Sequence, residues 1–595
     1  MSSRQKICKI YFLSITSNGV KNQEIARIFN EMARFLQIEG VPFKPYAYER
    51  AAISIESLKE DISQVYINGG RKALEEIPGI GKAMSDHIEE YLKTGKVKFY
   101  EEFKKGLPVQ MDDLVRVEGV GPKKVKILYQ KLGIKNLKDL ERAAKKHQIA
   151  PLFGFGEKTE KNILQGLEFL KRDKGRSLIS EIKPVAMEVL GKLEKLKEVE
   201  RVSLAGSLRR GKETIGDVDF LAVSKSLKKT MDFFVALPGV EKVWGKGGTK
   251  ASVHMSGGFD MDLRIVPEKS YGSALQYFTG SQGHNIATRK LAIDKGLKLS
   301  EWGVFKGSKQ IAGKTEEEVY KAIGLSYIPP ELREEQGEIQ ACLEGALPKL
   351  VELKDIKGDL HVHSNWEEAE AKKDSIEALA KQAMALGYEY IGISDHTNDI
   401  KVEKSLSEKQ LLEQNTYIKK LNAKFLASGR KFRILHGCEA NIRRNGSIDV
   451  KDGVLEKLDY VIVGVHSLLK MEKKEMMARI EKAMRNPHVD ILAHPTGRIV
   501  GQRDEYQIDF DKILKLAKET GTILEINSSS RLDLRDLYIR RAKAEGVKMI
   551  INTDAHQKEQ MLLMEYGVAQ ARRGWAEKED IINTQSAGEL LKYLK

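Results

Sequence analysis

Residues 206–219 read GSLRRGKETIGDVD, and the apolar run FLAV follows at once at 220–223. That run predicts a β-strand beginning near Asp217, and side chains two apart on a strand project from the same face. Asp217 and Asp219 therefore point at one place, as carboxylates do when they hold a hard divalent cation. Two aspartates on a strand, taken alone, more often lie on a solvent-exposed edge than in a metal site. The prediction of a metal site therefore depends on the neighbouring motifs.

A second alternating run, DMDLRIV at 260–266, supplies a third carboxylate, Asp262, if it lies beside the first strand. Two divalent ions held by three carboxylates suit in-line attack on a phosphate, because they stabilise both the attacking and the leaving oxygen. Upstream of Asp217, the turn at Gly206 and the arginine pair at 209–210 offer N–H and guanidinium groups to a triphosphate.

Together these motifs resemble the palm of the family X DNA polymerases, the polymerase beta-like nucleotidyltransferases. The resemblance implies that Asp217, Asp219 and Asp262 are catalytic and hold two Mg²⁺ or Mn²⁺ ions. Asp260 falls where the family has a non-acidic residue, so it is treated as a neighbour and not as a fourth ligand. The positions matching the family's contacts to an incoming dNTP are Ser207, Arg210, Gly216, Tyr277, Phe278, Gly280 and Asn285. Without the surrounding pattern, Tyr277 and Phe278 would read equally well as core packing.

The composition indicates a multidomain globular protein. A chain of 595 residues is too long for one hydrophobic core, and 41% hydrophobic residues is ordinary for a soluble protein. No apolar run is long enough to span a membrane, and the first twenty residues mimic a signal peptide only weakly. Three cysteines far apart predict no disulfide framework and are consistent with a reducing cytoplasm. We expect a cytoplasmic monomer.

The net charge is unevenly distributed. Residues 340–595 contain 42 Lys or Arg and 40 Asp or Glu, out of 100 and 85 in the whole chain, so nearly all of the +15 net charge lies in residues 1–339. A basic first part suggests contact with a polyanion such as gapped or primed DNA. The alternative is a surface rich in Lys and Glu of the kind common in heat-stable proteins.

Two GxG turns in this basic region predict helix-hairpin-helix motifs. IPGIGK at 77–82 and VEGVGP at 117–122 each lead into a helical pattern. Glycines let the backbone approach a DNA phosphate, and the following helix N-terminus presents N–H groups to it. The glycines concerned are Gly79, Gly81, Gly119 and Gly121. In the same family, a Schiff-base lysine of the lyase activity lies nine residues after the first motif's proline; here that position is His87, so lyase activity is not expected.

The resemblance also implies the remaining polymerase parts. Arg264 and Arg289 match contacts to DNA, and Asn285 matches a minor-groove contact that checks the shape of the base pair. The predicted domains are a helical DNA-binding domain at 1–105, fingers at 106–180, a palm at 181–270, a thumb at 271–330, a linker at 331–356 and a second catalytic domain at 357–575. The expected fold is multidomain: an α-helical helix-hairpin-helix N-terminal domain, an α+β nucleotidyltransferase palm with thumb, and then a second catalytic domain.

The last of these domains rests on a set of histidine and carboxylate motifs. They are DLHVHS at 359–364, ISDH at 393–396, GCE at 437–439, GVHS at 464–467, AHP at 493–495 and NTDAH at 552–556. Most follow an apolar β-like run, and helical segments lie between them. Polar ligands at the ends of strands that alternate with helices indicate a β/α barrel with a site on its top face.

The set resembles the PHP (polymerase and histidinol phosphatase) domain. The resemblance implies a PHP domain at 357–575 with the fold of a distorted (β/α)7 barrel and a cluster of up to three Mn²⁺ or Zn²⁺ ions. The implied ligands are His361, His363, His396, Glu439, His466, His494, Asp554 and His556. The family has a ninth ligand, an Asp in a WSDG sequence after the second His. When the family sequence is aligned forward from His363, Glu368 takes the position of this Asp. When it is aligned backward from Ser375, Ala371 takes that position. Arg498 and Arg531 are candidate phosphate contacts or ordinary structural arginines.

A polymerase beta-like core followed by a PHP domain is the layout of prokaryotic family X polymerases. The resemblance implies a repair polymerase that fills short gaps, with a Mn²⁺-dependent 3′→5′ exonuclease or 3′-end phosphodiesterase that could also nick abasic sites. Three alternatives stay open: a catalytically silent PHP scaffold, a DNA-end-binding protein with vestigial chemistry, and a PHP domain that hydrolyses a small phosphomonoester.

Overall fold

A computed structural model gives the arrangement of the chain. The structure describes all residues except 1–19, 39–40, 42–43, 57, 59–60, 78, 107–108, 110–113, 115–116, 118–119, 158, 162, 165–166, 168–175, 368–372, 398–404 and 502. The predicted residues Gly119 and Glu368 lie outside the described part.

The chain divides into two compact units. The first comprises the described part of Met1–Arg176 with Leu196–Val202 and Phe220–Gly324, and the second comprises Ser177–Lys195, Ser203–Asp219 and Leu325–Lys595. Residues 181–270, which the sequence predicts as a palm, are therefore shared between the two units.

The N-terminal part of the first unit is helical, as predicted. Its helices are Val20–Ile38, Lys44–Glu56, Ile62–Glu75, Lys82–Thr94, Lys98–Gly106, Pro122–Leu132 and Leu137–Lys145. The apolar residues of the first helix recur with a helical period, and Phe29 and Met32 are completely buried. One continuous hydrophobic core runs from this helix to Leu167.

A five-stranded sheet follows. Its strands are β2 (Val199–Leu204), β4 (Asp217–Ser224), β5 (Val240–Lys246), β6 (Lys250–Met255) and β7 (Phe259–Ile265). They lie side by side in the order β2, β4, β7, β6, β5. The predicted strands of the two DxD motifs, β4 and β7, are thus neighbours in the sheet. Val266 N donates to Ala222 O at 2.9 Å next to this pairing.

The rest of the first unit joins helices to a small antiparallel sheet. The sheet consists of β8 (Lys298–Ser300), β9 (Gly303–Lys306) and β10 (Lys309–Ala312). The helices are Leu227–Val235, Tyr271–Thr279, Gln282–Asp294 and Glu316–Ala322, with a 3-10 turn at Glu268–Ser270.

The second unit is built on a parallel barrel. Its strands are β11 (Gly358–Asp359), β12 (Tyr390–Ile393), β13 (Arg433–His436), β14 (Glu439–Asn441), β15 (Ile462–Gly464), β16 (Ile491–Leu492), β17 (Ile523–Asn527) and β18 (Met549–Asn552). All pairings between neighbours are parallel. Most residues of these strands are apolar because helices cover them outside and side chains fill the interior.

The barrel has seven strand positions and closes. Only Gly437 and Cys438 separate β13 from β14, which together form one interrupted strand. A parallel bridge between Val362 and Ala555 joins the last strand to the first. The predicted distorted (β/α)7 barrel is confirmed.

Helices and short turns surround these strands. The helices of the second unit are Ile179–Glu194, Gly206–Arg209, Glu338–Leu343, Ile376–Ala385, Glu408–Ala427, Asp452–Leu455, Lys473–Met484, Phe510–Thr520, Asp536–Ala544, Met564–Arg573 and Ala587–Leu590. Its 3-10 turns are Pro330–Leu332, Leu353–Asp355, Lys558–Leu563, Lys578–Asp580 and Ile582–Thr584. None of the helices in the described part of the chain is long and apolar enough to cross a membrane.

Tyr460 fills the barrel interior. It is buried, and its hydroxyl donates to Leu360 O at 2.6 Å. A Cβ at Gly392 would lie 2.3 Å from that hydroxyl, and a Cβ at Gly437 would lie 2.4 Å from the ring. The two strands therefore carry glycine because the aromatic ring lies against their backbone.

Two short segments before Leu325 fold with the barrel. In Ser177–Lys195, strand β1 (Ser177–Leu178) pairs with β3 (Thr214–Ile215) of the other segment. Lys183 Nζ lies 2.6 Å from Glu565 Oε2. Residues 331–356, predicted as a linker, include Arg333, which is completely buried and donates from Nε to Ile328 O at 2.9 Å. The unit also extends to the final residues, since Lys595 N donates to Asp490 Oδ1 at 2.6 Å.

Candidate active sites

Eight predicted ligands converge where the barrel strands end. They are His361, His363, His396, Glu439, His466, His494, Asp554 and His556. His361 and His363 follow β11, Glu439 begins β14, and the others follow β12, β15, β16 and β18. Parallel strands bring their carboxyl ends to one edge of a barrel, so ligands distant in sequence meet there.

Glu439 lies at the centre of this group. Its Oε1 lies 2.9 Å from His466 Nε2 and 3.0 Å from His494 Nε2. Its Oε2 lies 2.9 Å from His396 Nε2 and 3.2 Å from His361 Nε2. One carboxylate thus bridges histidines from four different strand ends.

The site is strongly charged although it is buried. Burial opposes ionisation of Glu439, but the imidazoles of His361, His466 and His396 outweigh it and hold the pKa of that carboxyl well below its ordinary value. Burial also disfavours the charged form of His361, but Glu525, Glu439 and Asp554 raise its pKa well above the usual range. Protons on such imidazoles are those that a divalent ion would displace.

Two other histidines of the group favour the neutral form. Burial lowers the pKa of His466 to about 4 and that of His556 to about 3. Neutral imidazoles are the form that binds a metal.

Buried nitrogen atoms mark where a metal ion fits. Among the described residues, Nε2 of His361 and Nε2 of His363 are buried and make no hydrogen bond, although carboxylate oxygens lie 3.2 and 3.3 Å from them. Such atoms are costly unless a ligand satisfies them. With two ionised carboxylates beside them, this donor set fits divalent transition metals that accept mixed nitrogen and oxygen ligands.

The backbone is strained at two of these ligands. His494 has φ +29° and Asp554 has φ +56°, a region that residues other than glycine rarely adopt. Strain of this kind persists only where the surrounding structure imposes it, and it clusters at functional sites.

The sequence reasoning missed two glutamates that support the histidines. Glu525, in the middle of β17, is completely buried; its Oε1 lies 2.6 Å from His361 Nδ1, and its Oε2 accepts from His494 N at 2.8 Å. Glu367 contacts His363 and His396 in the same way. A glutamate inside an otherwise apolar strand was the available signal for Glu525, because buried carboxylates need a partner.

The two arginines proposed as phosphate contacts differ in their surroundings. Arg498 is buried and pairs with Glu213, with Nη2 2.6 Å from Oε1, so it is committed to a structural ion pair. Arg531 has Nε 3.5 Å from Asp554 Oδ2 and is partly exposed. Of these two arginines, only Arg531 therefore remains beside the eight predicted ligands.

The predicted palm carboxylates lie on the two expected strands. Asp217 and Asp219 begin β4 in the second unit, with Asp217 exposed and Asp219 partly so. Asp262 lies in β7 in the first unit and pairs with Lys250, Nζ to Oδ2 2.5 Å. Asp260 instead receives a hydrogen bond from Trp244 at 2.9 Å and contacts His254 Nδ1 at 2.6 Å. It is therefore held by side chains of its own sheet.

The predicted triphosphate residues precede β4. Ser207 lies in the helix Gly206–Arg209, and its hydroxyl is buried without a hydrogen-bond partner among the described residues. Arg210 Nε lies 2.9 Å from Glu334 Oε1. Gly216 lies between β3 and β4.

Gly206 fits closely against Asp219. It has φ +62°, and a Cβ added there would lie 2.2 Å from Asp219 Oδ2. Gly206→Ala should therefore displace the carboxylate, and we expect nucleotide insertion by the full-length protein to slow by about 100-fold, measured in single turnover. Gly258→Ala is the matched control, since Gly258 also has positive φ but nothing within 4 Å of its added Cβ. Equal rates for the two variants would contradict this role of Gly206.

The residues matched to the nucleotide base form one local network in the first unit. Asn285 Nδ2 donates to Tyr277 O at 2.8 Å, and Asn285 Oδ1 accepts from Gln276 at 2.9 Å. The rings of Tyr277 and Phe278 meet edge to face with centroids 5.1 Å apart. Gly280 ends the helix Tyr271–Thr279 with φ +66°.

Both predicted DNA-contacting arginines are anchored to this network. The guanidinium of Arg264 lies 4.5 Å from the centroid of the Phe278 ring. Arg289 Nε donates to Asn285 O at 3.2 Å.

The described glycines of the two GxG turns lie where the predicted motifs need them. Gly79 has φ +91°. Gly81 is the N-cap residue of the helix Lys82–Thr94, and no side chain among the described residues accepts a hydrogen bond from the first N–H groups of that helix. Gly121 caps Pro122–Leu132 in the same way, with proline in its first turn. Both helix N-termini thus expose backbone N–H groups. His87 packs against Phe99, and burial lowers its pKa.

Four family models match successive parts of the chain. They are a helix-hairpin-helix domain at 20–97, a SAM-like helix-hairpin-helix tandem at 111–168, the DNA polymerase beta thumb at 274–334 and the PHP domain at 359–529. Their order agrees with the order of the two helical motifs, the thumb and the barrel.

Known proteins match the whole chain or one of its parts. The chain is 35% identical to DNA polymerase/3'-5' exonuclease PolX of Bacillus subtilis (strain 168) over 96% of its length and 99% of that protein. It is 25% identical to DNA polymerase lambda of Arabidopsis thaliana over 52% of the chain and 62% of that protein. It is 34% identical to a probable phosphatase of Thermoanaerobacter sp. (strain X514) over 27% of the chain and 68% of that protein. The full-length match and the order of the domains together show that the chain belongs to the family X DNA polymerases that carry a C-terminal PHP domain.

Proposed function

We propose that this protein fills short gaps in DNA by templated addition of dNTPs and that its barrel shortens or cleans DNA 3′ ends. The observation that carries the proposal is the similarity over 96% of the chain to a protein named for both activities. The helix-hairpin-helix matches support DNA as the substrate.

For nucleotide addition, Asp217, Asp219 and Asp262 would hold two Mg²⁺ or Mn²⁺ ions. The close approach of Gly206 to Asp219 supports this, because it fixes the position of one carboxylate. The unpartnered Ser207 hydroxyl and the backbone of its helix would bind the triphosphate. Asp262, beside Lys250, would take the proton of the primer 3′-hydroxyl.

For cleavage at the 3′ end, the barrel group would hold up to three Mn²⁺ or Zn²⁺ ions. When bound, such ions polarise a phosphodiester and activate water. Glu439 would hold imidazoles from four different strands at fixed distances from one another, because its carboxylate contacts all four. Arg531, at the edge of the group, would neutralise a phosphate oxygen.

We propose that the protein acts as a monomer in the cytoplasm and that Mn²⁺ serves the barrel. The similarity of the barrel region to a probable phosphatase favours one second candidate function, hydrolysis of a small phosphomonoester.

The deciding experiment uses a 5′-labelled primer on a one-nucleotide-gapped duplex with the full-length protein and Mn²⁺, with and without dNTPs. We expect extension by one nucleotide when dNTPs are present and stepwise shortening when they are absent. A 3′-phosphate primer and a small phosphomonoester are tested in parallel.

The outcomes separate the proposals. Absence of extension would reject the polymerase function. Extension with no shortening would reject the exonuclease and favour a silent barrel. Release of phosphate from the small monoester, with an untouched DNA 3′ end, would favour the phosphatase function.

A further inference from the structure

Glu367 occupies a position in the barrel that the ligand pattern does not assign to it. It is one residue before Glu368, the predicted replacement for the family's aspartate, and it is completely buried. A buried glutamate requires partners that compensate for its lost hydration. Its partners are therefore informative.

One oxygen of Glu367 is shared between two metal-binding histidines. Oε1 lies 2.9 Å from His363 Nδ1 and 3.0 Å from His396 Nδ1. The same atom accepts from the backbone N of His396 at 2.6 Å. The two rings lie side by side, with centroids 4.2 Å apart and planes within 20°.

The opposite edge of each ring faces the centre of the group. His396 Nε2 lies 2.9 Å from Glu439 Oε2, and His363 Nε2 lies 3.3 Å from Asp554 Oδ1. A carboxylate on Nδ1 fixes the proton there and leaves Nε2 as the electron-pair donor. Both imidazoles therefore present Nε2 to the carboxylates at the centre of the group, His396 to Glu439 and His363 to Asp554.

The other oxygen of Glu367 is paired with Lys373, whose side chain is 9% exposed. Asp395, which has a carboxylate oxygen within 4.8 Å of Glu367, receives hydrogen bonds from Ser364 Oγ and Gln414 Nε2, both at 2.6 Å. The pocket formed by Glu367, Asp395 and His363 is thus already filled by an ammonium and by hydrogen-bond donors. This arrangement argues against Glu367 as a direct metal ligand.

We propose that Glu367 is the positioning residue that orients His363 and His396 together for divalent-metal binding, with Lys373 holding it in place. The inference rests on the proposed function of the barrel group. It assigns to Glu367 the role that Glu525 has for His361.

The test measures metal binding directly. Full-length protein carrying Asp217→Ala/Asp219→Ala, to weaken Mn²⁺ binding by the palm, is compared with the same protein carrying Glu367→Gln. Mn²⁺ affinity and stoichiometry are measured by titration calorimetry and by elemental analysis after dialysis. We expect Glu367→Gln to weaken Mn²⁺ binding at one or more barrel sites by about 10- to 100-fold.

The matched control is Glu389→Gln, a partly exposed glutamate 3.1 Å from Lys357 Nζ, for which we expect no loss of Mn²⁺ binding. Binding by Glu367→Gln equal to that of its parent, or a loss no larger than that of Glu389→Gln, would overturn the assignment. If the parent takes up no Mn²⁺ in the barrel, the proposed function of the group fails with it. Should Glu367→Gln not fold, as judged by circular dichroism, Glu367→Asp carries the same comparison, because it keeps the charge and moves the oxygens.

Discussion

Replacing Asp219 by asparagine is expected to slow templated nucleotide addition by about 1,000-fold while leaving 3′-end shortening unchanged. The substitution keeps the size of the side chain but removes the negative charge that holds a divalent ion. Asp219 is fixed on two sides, because its carbonyl accepts from Ala205 N at 2.8 Å and its carboxylate lies against Gly206. The amide of Asp219→Asn therefore occupies the position of the carboxylate without supplying its charge. Single-turnover insertion opposite a one-nucleotide gap measures the loss.

Asp260→Asn provides the control for a lost carboxylate in the same sheet. Asp260 shares a face of β7 with Asp262, but Trp244 and His254 hold it. We expect its insertion rate to stay within about threefold of the wild type, since a change of under 1 kcal/mol is typical of a partly exposed group. If Asp219→Asn inserted nucleotides at the wild-type rate, the palm carboxylates would not be catalytic.

The second large effect is expected from Glu439→Gln. It should lower 3′-end shortening in Mn²⁺ by about 1,000-fold or more, because the central carboxylate that bridges four imidazoles is lost. The new amide presents N–H groups towards histidines that themselves carry protons, so charge balance and hydrogen bonding both change. Shortening of a 5′-labelled primer without dNTPs gives the rate.

Gap extension by the same variant reports whether its fold is intact, and we expect it to be unchanged. Glu389→Gln serves as the matched control, since Glu389 is a partly exposed carboxylate just before β12, 3.1 Å from Lys357 Nζ. If Glu439→Gln still shortens primers at the wild-type rate, the barrel group is not the site of that reaction.

Local patterns were sufficient to predict the barrel. Runs such as Tyr390–Ile393 and Met549–Ile551 are apolar throughout, which is typical of strands buried on both faces. A histidine or carboxylate directly after such a run must lie at the strand's carboxyl end, so the meeting of His396 and Asp554 followed from the fold class alone.

Two features could not be read from the chain, each for a physical reason. Glu367 and Glu368 are chemically identical neighbours, so the sequence gives no sign that Glu367 is completely buried. The grouping of Ser203–Asp219 with the barrel depends on contacts hundreds of residues apart, such as Glu213 with Arg498. Hydrophobic periodicity carries no information about such pairs.

Those distant contacts bear on how the protein can be divided. Arg573 is buried, pairs with Glu334 at 2.9 Å and with Asp536 at 2.5 Å, and donates to the carbonyl of Arg210 at 3.1 Å. A chain shortened to its first 330 residues would keep Arg210 and lose every one of these partners. In the shorter chain Arg210 and Lys183 would lose the carboxylates of Glu334 and Glu565. We therefore expect that dividing the gene at the motif boundaries does not yield two self-sufficient proteins.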